Sequence, residues 1–154
     1  MMAFALAAAA ALAAGAPVAV DAKLLAGLPE SEAVLEAHGK RQSCTGPALS
    51  AVLARVGQPA GEALRGSALA RGVLATGRDG YAVLFSLGEF DAMLGGAAAI
   101  VATRCDSKSL DSTAGPFRLI VPGEQRPARS VRQLSSLTIV DLGQGQAHKH
   151  SPGH

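Results

Sequence analysis

The segment GPFRLIVPG, residues 115–123, has the clearest strand pattern in the chain and is bounded at both ends by residues that stop a strand. Its apolar side chains at Phe117, Leu119 and Val121 recur at every second residue, which is the period of a strand with a buried face. A Gly-Pro pair precedes them and a Pro-Gly pair follows them. Because proline cannot extend a hydrogen-bonded ladder and glycine permits a tight turn, the segment predicts a short strand followed by a turn.

The loop after this turn is rich in arginine. Arg126, Arg129 and Arg132 follow one another at three-residue spacing, with Glu124 as the acid beside them. Guanidinium groups donate hydrogen bonds in a planar fork that suits phosphate and carboxylate groups, so the loop is a candidate anion site. The alternative is a solvated turn whose arginines pair with acids, for which the candidates are Glu89, Asp91 and Asp106.

The remaining pattern predicts an α+β fold with a mixed sheet and a few short helices. Apolar residues at i, i+3, i+4 and i+7 from Leu49 to Val56 predict a helix that begins at Pro47 and stops at Gly57. Pro29 and the acids after it are typical of another helix start. The predicted strands cover residues 72–76, 81–86, 98–103, 117–121 and 137–140, with a helical turn at 87–94 and a polar loop at 104–114.

The composition argues against nucleic acid as a partner. The chain has 154 residues, enough for one domain with its own core, and its 14 basic and 12 acidic residues give a net charge of only +2. Tryptophan is absent and there is one tyrosine, so the chain lacks the aromatic platforms on which bases stack. Its positive charge is concentrated locally, between Arg118 and Arg132.

The N-terminal residues are typical of a secretory signal. Residues 2–14 form an uncharged run that is too short to cross a bilayer, and Val20-Asp21-Ala22 places small residues where a signal peptidase cuts. We interpret residues 1–22 as a signal peptide, residues 23–142 as one exported domain without a transmembrane segment, and residues 143–154 as a disordered tail. The alternative for the first segment is a buried alanine-rich helix. Export would place the domain in the periplasm or outside the cell.

Cys44 and Cys105 are the two cysteines of the chain. In an exported protein such a pair favours a disulfide, which would stabilise the fold by about 4 kcal/mol in the chain-entropy model. Separate thiols and a metal-ligating thiolate are the alternatives. The tail contains His148, His150 and His154, which could chelate a transition metal weakly on a flexible chain, and the alternative is a solvated tail.

Two of these motifs, GPFRLIVP and RPARSVR, together resemble the end of the molybdopterin-binding domain of the sulfite oxidase family. The resemblance covers roughly residues 44 to 141, and its further matches are Gly46-Pro47-Ala48-Leu49, Asp79-Gly80-Tyr81, Phe85-Ser86-Leu87, Glu89-Phe90-Asp91 and Cys105-Asp106. It implies the sulfite-oxidase-like fold, in part, and short strands rather than a helix before residue 45. It also implies an oxidoreductase with a molybdenum-pterin centre and a redox or periplasmic protein partner.

By the same resemblance, Arg129, Ser130 and Arg132 would contact the pterin phosphate, with Arg126 at the rim. The family holds molybdenum with a cysteine about a dozen residues before the helix start, and the corresponding window, residues 31–38, contains no cysteine. Cys44 is then the nearest available thiolate. The alternative function is a non-catalytic periplasmic module that binds an anionic ligand or a protein partner at the loop from Arg126 to Arg132.

Overall fold

The structure is a computed structural model that describes residues 13–143. The predicted tail histidines and the first twelve residues of the predicted signal peptide lie outside the described residues. The strands are β1 Ala13–Ala14, β2 Val18–Ala19, β3 Glu30–Ala37, β4 Lys40–Pro47, β5 Arg71–Gly77, β6 Ala82–Ser86, β7 Ile100–Ala102, β8 Arg104–Cys105, β9 Lys108–Ser109, β10 Arg118–Ile120 and β11 Leu134–Asp141. The helices are α1 Ala22–Leu25, α2 Leu49–Arg55 and α3 Leu87–Phe90, and the 3₁₀ turns are Gly61–Ala63, Gly66–Ala70 and Pro127–Arg129.

The strands form three sheets. The largest has the order β1-β11-β5-β6, and β2 also pairs with β11. A second sheet has the order β3-β4-β8-β9, and the third consists of β10 and β7. The α+β class is confirmed. Every pairing between strands in residues 13–143 is antiparallel. The predicted mixture of parallel and antiparallel strands is therefore not found in these sheets.

The main hydrophobic core lies between the largest sheet and α2. The helix buries Leu49, Val52 and Leu53, which its i, i+3, i+4 spacing places on one face. They pack in one cluster with side chains of β5, β6, β10 and β11, including the fully buried Phe85. Each such side chain stabilises the fold by roughly 1.5 to 3 kcal/mol through its burial. The predicted helix is therefore confirmed, but it begins after Pro47, which ends β4 instead.

The segment before this helix is a β-hairpin. Strands β3 and β4 pair over their full length, from Glu30 with Pro47 to Ala37 with Lys40. The helix start predicted at Pro29 is therefore wrong, because Ala33 and Leu35 alternate toward a buried face as strand residues do. Short strands, the second expectation, occupy this segment.

A smaller core lies between this hairpin and strands β7 and β10. It consists of Ala33, Leu35, Cys44, Ile100, Ala102 and Ile120. A disulfide joins Cys44 on β4 to Cys105 on β8, directly across the antiparallel pair. The disulfide interpretation of the two cysteines is confirmed.

The described part of the predicted signal peptide belongs to the largest sheet. Strands β1 and β2 both pair with β11, and Val20 is 7% exposed in the main core. Asp21 caps α1, since its Oδ1 accepts a hydrogen bond from the Leu24 backbone N–H at 2.8 Å. Cleavage after Ala22 would remove all of these contacts. No helix within residues 13–143 is both long and apolar enough to span a bilayer.

Candidate anion-binding site

The arginine loop faces a buried arginine that the sequence pattern assigned only to a strand. Arg118 opens β10, where Leu119 and Ile120 are also buried, and its residue is only 7% exposed. Its Nε donates a hydrogen bond to the carbonyl oxygen of Ser130 at 3.3 Å. Arg118 is therefore a largely buried arginine that contacts the arginine loop, and it is not a surface side chain like Arg126 and Arg132.

No carboxylate pairs with Arg118 among the described residues. The ion pairs in that part of the chain join Arg41 to Glu36, Arg71 to Asp141, and Arg129 to Glu89 and Glu124. Burial lowers the pKa of Arg118, the positive charge of Arg132 lowers it further, and the negative charge of Asp111 partly offsets both effects. A buried cation without a counter-ion is costly, so this position favours an anion from outside the chain.

Two cavities adjoin Arg118. The first, which we call the arginine cavity, has a volume of ≈ 400 Å³ and is lined by Asp79, Tyr81, Arg118, Arg126, Pro127, Ala128, Ser130 and Arg132. The second, the loop cavity, has a volume of ≈ 520 Å³ and shares Arg118 and Arg132 with the first. Arg126 and Arg132 are exposed, and within residues 13–143 neither forms an ion pair. Three guanidinium groups therefore border one concave surface, opposed there by Asp79.

Arg129 is engaged elsewhere. Its Nη2 lies 2.8 Å from Glu89 Oε1, and its Nε donates to Glu124 Oε1 at 2.6 Å. The guanidinium carbon also lies 5.0 Å from the centre of the Phe85 ring, within cation–π range. The hydrogen bonds to Glu124 and Glu89 raise the pKa of Arg129. Of the predicted loop arginines, Arg129 thus follows the ion-pair alternative and lines neither cavity.

Ser130 supports the site from behind. Ser130 is 3% exposed, and its Oγ accepts a hydrogen bond from the Val121 backbone N–H at 3.0 Å. Its carbonyl oxygen accepts the hydrogen bond from Arg118. Although Ser130 borders the arginine cavity, these contacts make it a residue that positions Arg118 and fixes the loop to the end of β10.

Tyr81 ties the arginine loop to the β5–β6 hairpin. Its hydroxyl donates a hydrogen bond to the Ala128 carbonyl oxygen at 2.5 Å. Asp79 Oδ1 in turn accepts a hydrogen bond from the Tyr81 backbone N–H at 3.0 Å, as its place in a turn predicts. These two contacts hold the 3₁₀ turn of the loop beside Arg118.

The loop cavity has its own fixed carboxylate. Asp111 Oδ1 accepts hydrogen bonds from the Thr113 hydroxyl, from the Ala114 N–H and from the Thr113 N–H, and these bonds lower the pKa of Asp111. Lys108 and Asp106 also line this cavity, so three basic residues and two carboxylates border it, whereas three arginines and one carboxylate border the arginine cavity. The loop cavity is therefore less positive than the arginine cavity.

The structure corrects the assignment of Cys44 as a metal ligand. Cys44 is fully buried and joined to Cys105, and a disulfide sulfur is not the thiolate that binds metals. Within residues 13–143 there is also no group of three or more His, Cys, Asp or Glu side chains placed to hold a metal ion. Neither cysteine is therefore available as the thiolate ligand that the resemblance to the molybdopterin-binding domain implies.

Sequence reasoning did not single out Arg118 or Tyr81 as site residues. The available signal for Arg118 was a charged residue at an inner position of an otherwise apolar strand with clear turn residues at both ends.

Searches with this chain found no protein-family model that matches it and no curated protein with significant sequence similarity.

Proposed function

We propose that this protein is a non-catalytic binding module for small oxyanions, with phosphate or phosphorylated compounds as its ligands. The observation that supports this most directly is Arg118, an arginine residue that is 7% exposed, has no carboxylate partner in the described residues and borders a cavity. Arg126 and Arg132 would complete the contact from the loop side. Bidentate pairing of guanidinium with phosphate provides both the affinity and the geometry.

We place this binding activity in an oxidising compartment, the periplasm or the exterior. The disulfide between Cys44 and Cys105 supports this placement, because such bonds persist where thiols are not kept reduced. The protein partner expected from the resemblance stays a proposal, with the exposed rim at Arg126 as the candidate contact.

The molybdenum centre expected from the resemblance fits this chain only in part. Arg126 and Arg132 could hold a pterin phosphate, which would belong to the proposed ligand class. Arg129 is paired with Glu89 and Glu124, and neither cysteine is a thiolate. We therefore assign no redox step to these residues.

A thermal-unfolding titration with inorganic phosphate tests the proposal. Phosphate at a hundred times its dissociation constant should raise the free energy of unfolding by about 2.7 kcal/mol, because it binds the folded state alone. In Arg118→Met this effect should disappear. The variant itself should be as stable as the parent or more stable by about 1 kcal/mol, since an apolar side chain replaces an unpaired buried charge.

Two further variants sharpen this test. Arg132→Ala removes an exposed side chain of the arginine cavity and should weaken phosphate binding without loss of stability. Arg78→Ala removes an exposed arginine that lines neither cavity and should leave phosphate binding unchanged. Equal stabilisation by phosphate in the parent, Arg118→Met and Arg132→Ala would refute the proposed site.

A further inference from the structure

A third cavity adjoins the arginine cavity at Arg126. This hairpin cavity has a volume of ≈ 690 Å³ and is lined by residues 36–41, at the tip of the β3–β4 hairpin, together with Gln125, Arg126 and Pro127. It shares Arg126 and Pro127 with the arginine cavity. Because the same two residues border both spaces, the two cavities are neighbours, and we call them together the joined cavities.

The two joined cavities are positive along their length. Their lysines and arginines are Lys40, Arg41, Arg118, Arg126 and Arg132, their acidic residues are Glu36 and Asp79, and their histidine is His38. Arg41 pairs with Glu36 at 3.2 Å, which leaves Lys40 as the unpaired cation of the hairpin tip within the described residues. Cations thus occur at both ends of the joined cavities and, at Arg126, between them.

This arrangement favours a chain of phosphate groups over a single carboxylate. A carboxylate accepts hydrogen bonds with two oxygens that lie in one plane, whereas a phosphate group has more charge and more acceptor oxygens, in a tetrahedral arrangement that suits guanidinium groups approaching from different directions. The arginine cavity presents three such groups, those of Arg118, Arg126 and Arg132, to one space. Tyr81 and His38 are the residues with aromatic rings in the lining of the joined cavities, and the Tyr81 hydroxyl is bound to Ala128, so the lining offers few surfaces on which a ligand ring could stack.

We infer that the joined arginine and hairpin cavities bind a linear oligophosphate. One phosphate group lies against Arg118 and Arg132, and the following groups pass Arg126 toward Lys40. This inference rests on the proposed anion site and adds to it the chemical class and the direction of the ligand.

Calorimetric titration of the full chain with phosphate, diphosphate and tripolyphosphate, at one ionic strength, tests the inference. Affinity should rise with each phosphate group, and tripolyphosphate should bind at least about tenfold more tightly than phosphate, because each added group meets a further cation. Lys40→Ala should weaken tripolyphosphate binding about fivefold and leave phosphate binding unchanged. Lys23→Ala is the matched control, since Lys23 is an exposed lysine outside the joined cavities and should change neither affinity.

The outcomes separate this inference from the proposed function. If phosphate binds but tripolyphosphate binds no more tightly, or if Lys40→Ala has no effect, the inference is overturned and the anion site stands. If neither ligand binds, both fail. If a hexaglutamate peptide binds more tightly than tripolyphosphate, the joined cavities are a site for acidic peptides and the oligophosphate inference is overturned.

Discussion

At the scale of single residues, two arginines three positions apart in one loop have different roles. Arg129 contacts Glu89, Glu124 and the ring of Phe85, whereas Arg126 is exposed and borders two cavities. We predict that Arg129→Ala lowers the free energy of unfolding by about 1 to 2 kcal/mol, because two partly buried carboxylates lose their common partner. Arg126→Ala should change it by less than about 0.5 kcal/mol. Urea denaturation measures both values.

The opposite pattern would contradict these roles. If Arg129→Ala kept its stability but lost phosphate binding, Arg129 would belong to the anion site, as the resemblance implies. The sequence could not distinguish the two arginines, since their spacing and local context are alike. The difference arises from Glu89, forty residues away, which only the packing of α3 against the loop brings near.

At the scale of elements, strand β4 crosses β7 so closely that one position has no room for a side chain. A Cβ atom at Gly46 would lie 1.9 Å from the Val101 backbone oxygen. We predict that Gly46→Ala lowers the free energy of unfolding by about 3 kcal/mol, because the two backbones must separate and the smaller core must open. Thermal and urea unfolding, followed by circular dichroism, provide the measurement.

Gly88→Ala is the control for this crossing. The nearest atom to a Cβ there is Leu94 Cδ1, at 3.4 Å, at the end of an exposed side chain that can move. A similar loss of stability in both variants would argue against the close crossing at Gly46.

Local periodicity predicted some elements well and others poorly. The face of α2 and the β5–β6 hairpin are encoded by neighbouring residues, so their patterns were sufficient. The role of Gly46 in the crossing of β4 and β7 could not be predicted, because its contact with Val101 is long-range and leaves no local signal. At β3 the local pattern predicts a helix start instead, because the acids of this strand also suit the first turn of a helix, and only the family resemblance implies strands there.

At the scale of the whole molecule, the candidate site depends on contacts that no single segment determines. The loop from Arg126 to Arg132 was recognisable from its composition. The buried side of the site is formed by Arg118 on β10, which contacts the loop at Ser130. The loop is held in place by Tyr81, on the turn before β6, through its hydrogen bond to Ala128. The disulfide was foreseen from the count of cysteines, while its location between β4 and β8 required the register of the sheet.

The N-terminal strands give the last prediction, which concerns the size of the folding unit. A chain that starts at Lys23 lacks β1, β2, the buried Val20 and the Asp21 cap of α1. Its free energy of unfolding should be lower by about 3 kcal/mol or more than that of a chain starting at Ala13, since burial of Val20 and the cap together contribute about that much. Urea unfolding compares the two chains, and hydrogen exchange should show faster exchange along β11 in the shorter one.

Equal stability and equal exchange would mean that residues 13–22 are dispensable and would agree with cleavage after Ala22. A large loss would mean that any cleavage of the predicted signal peptide must leave these residues attached.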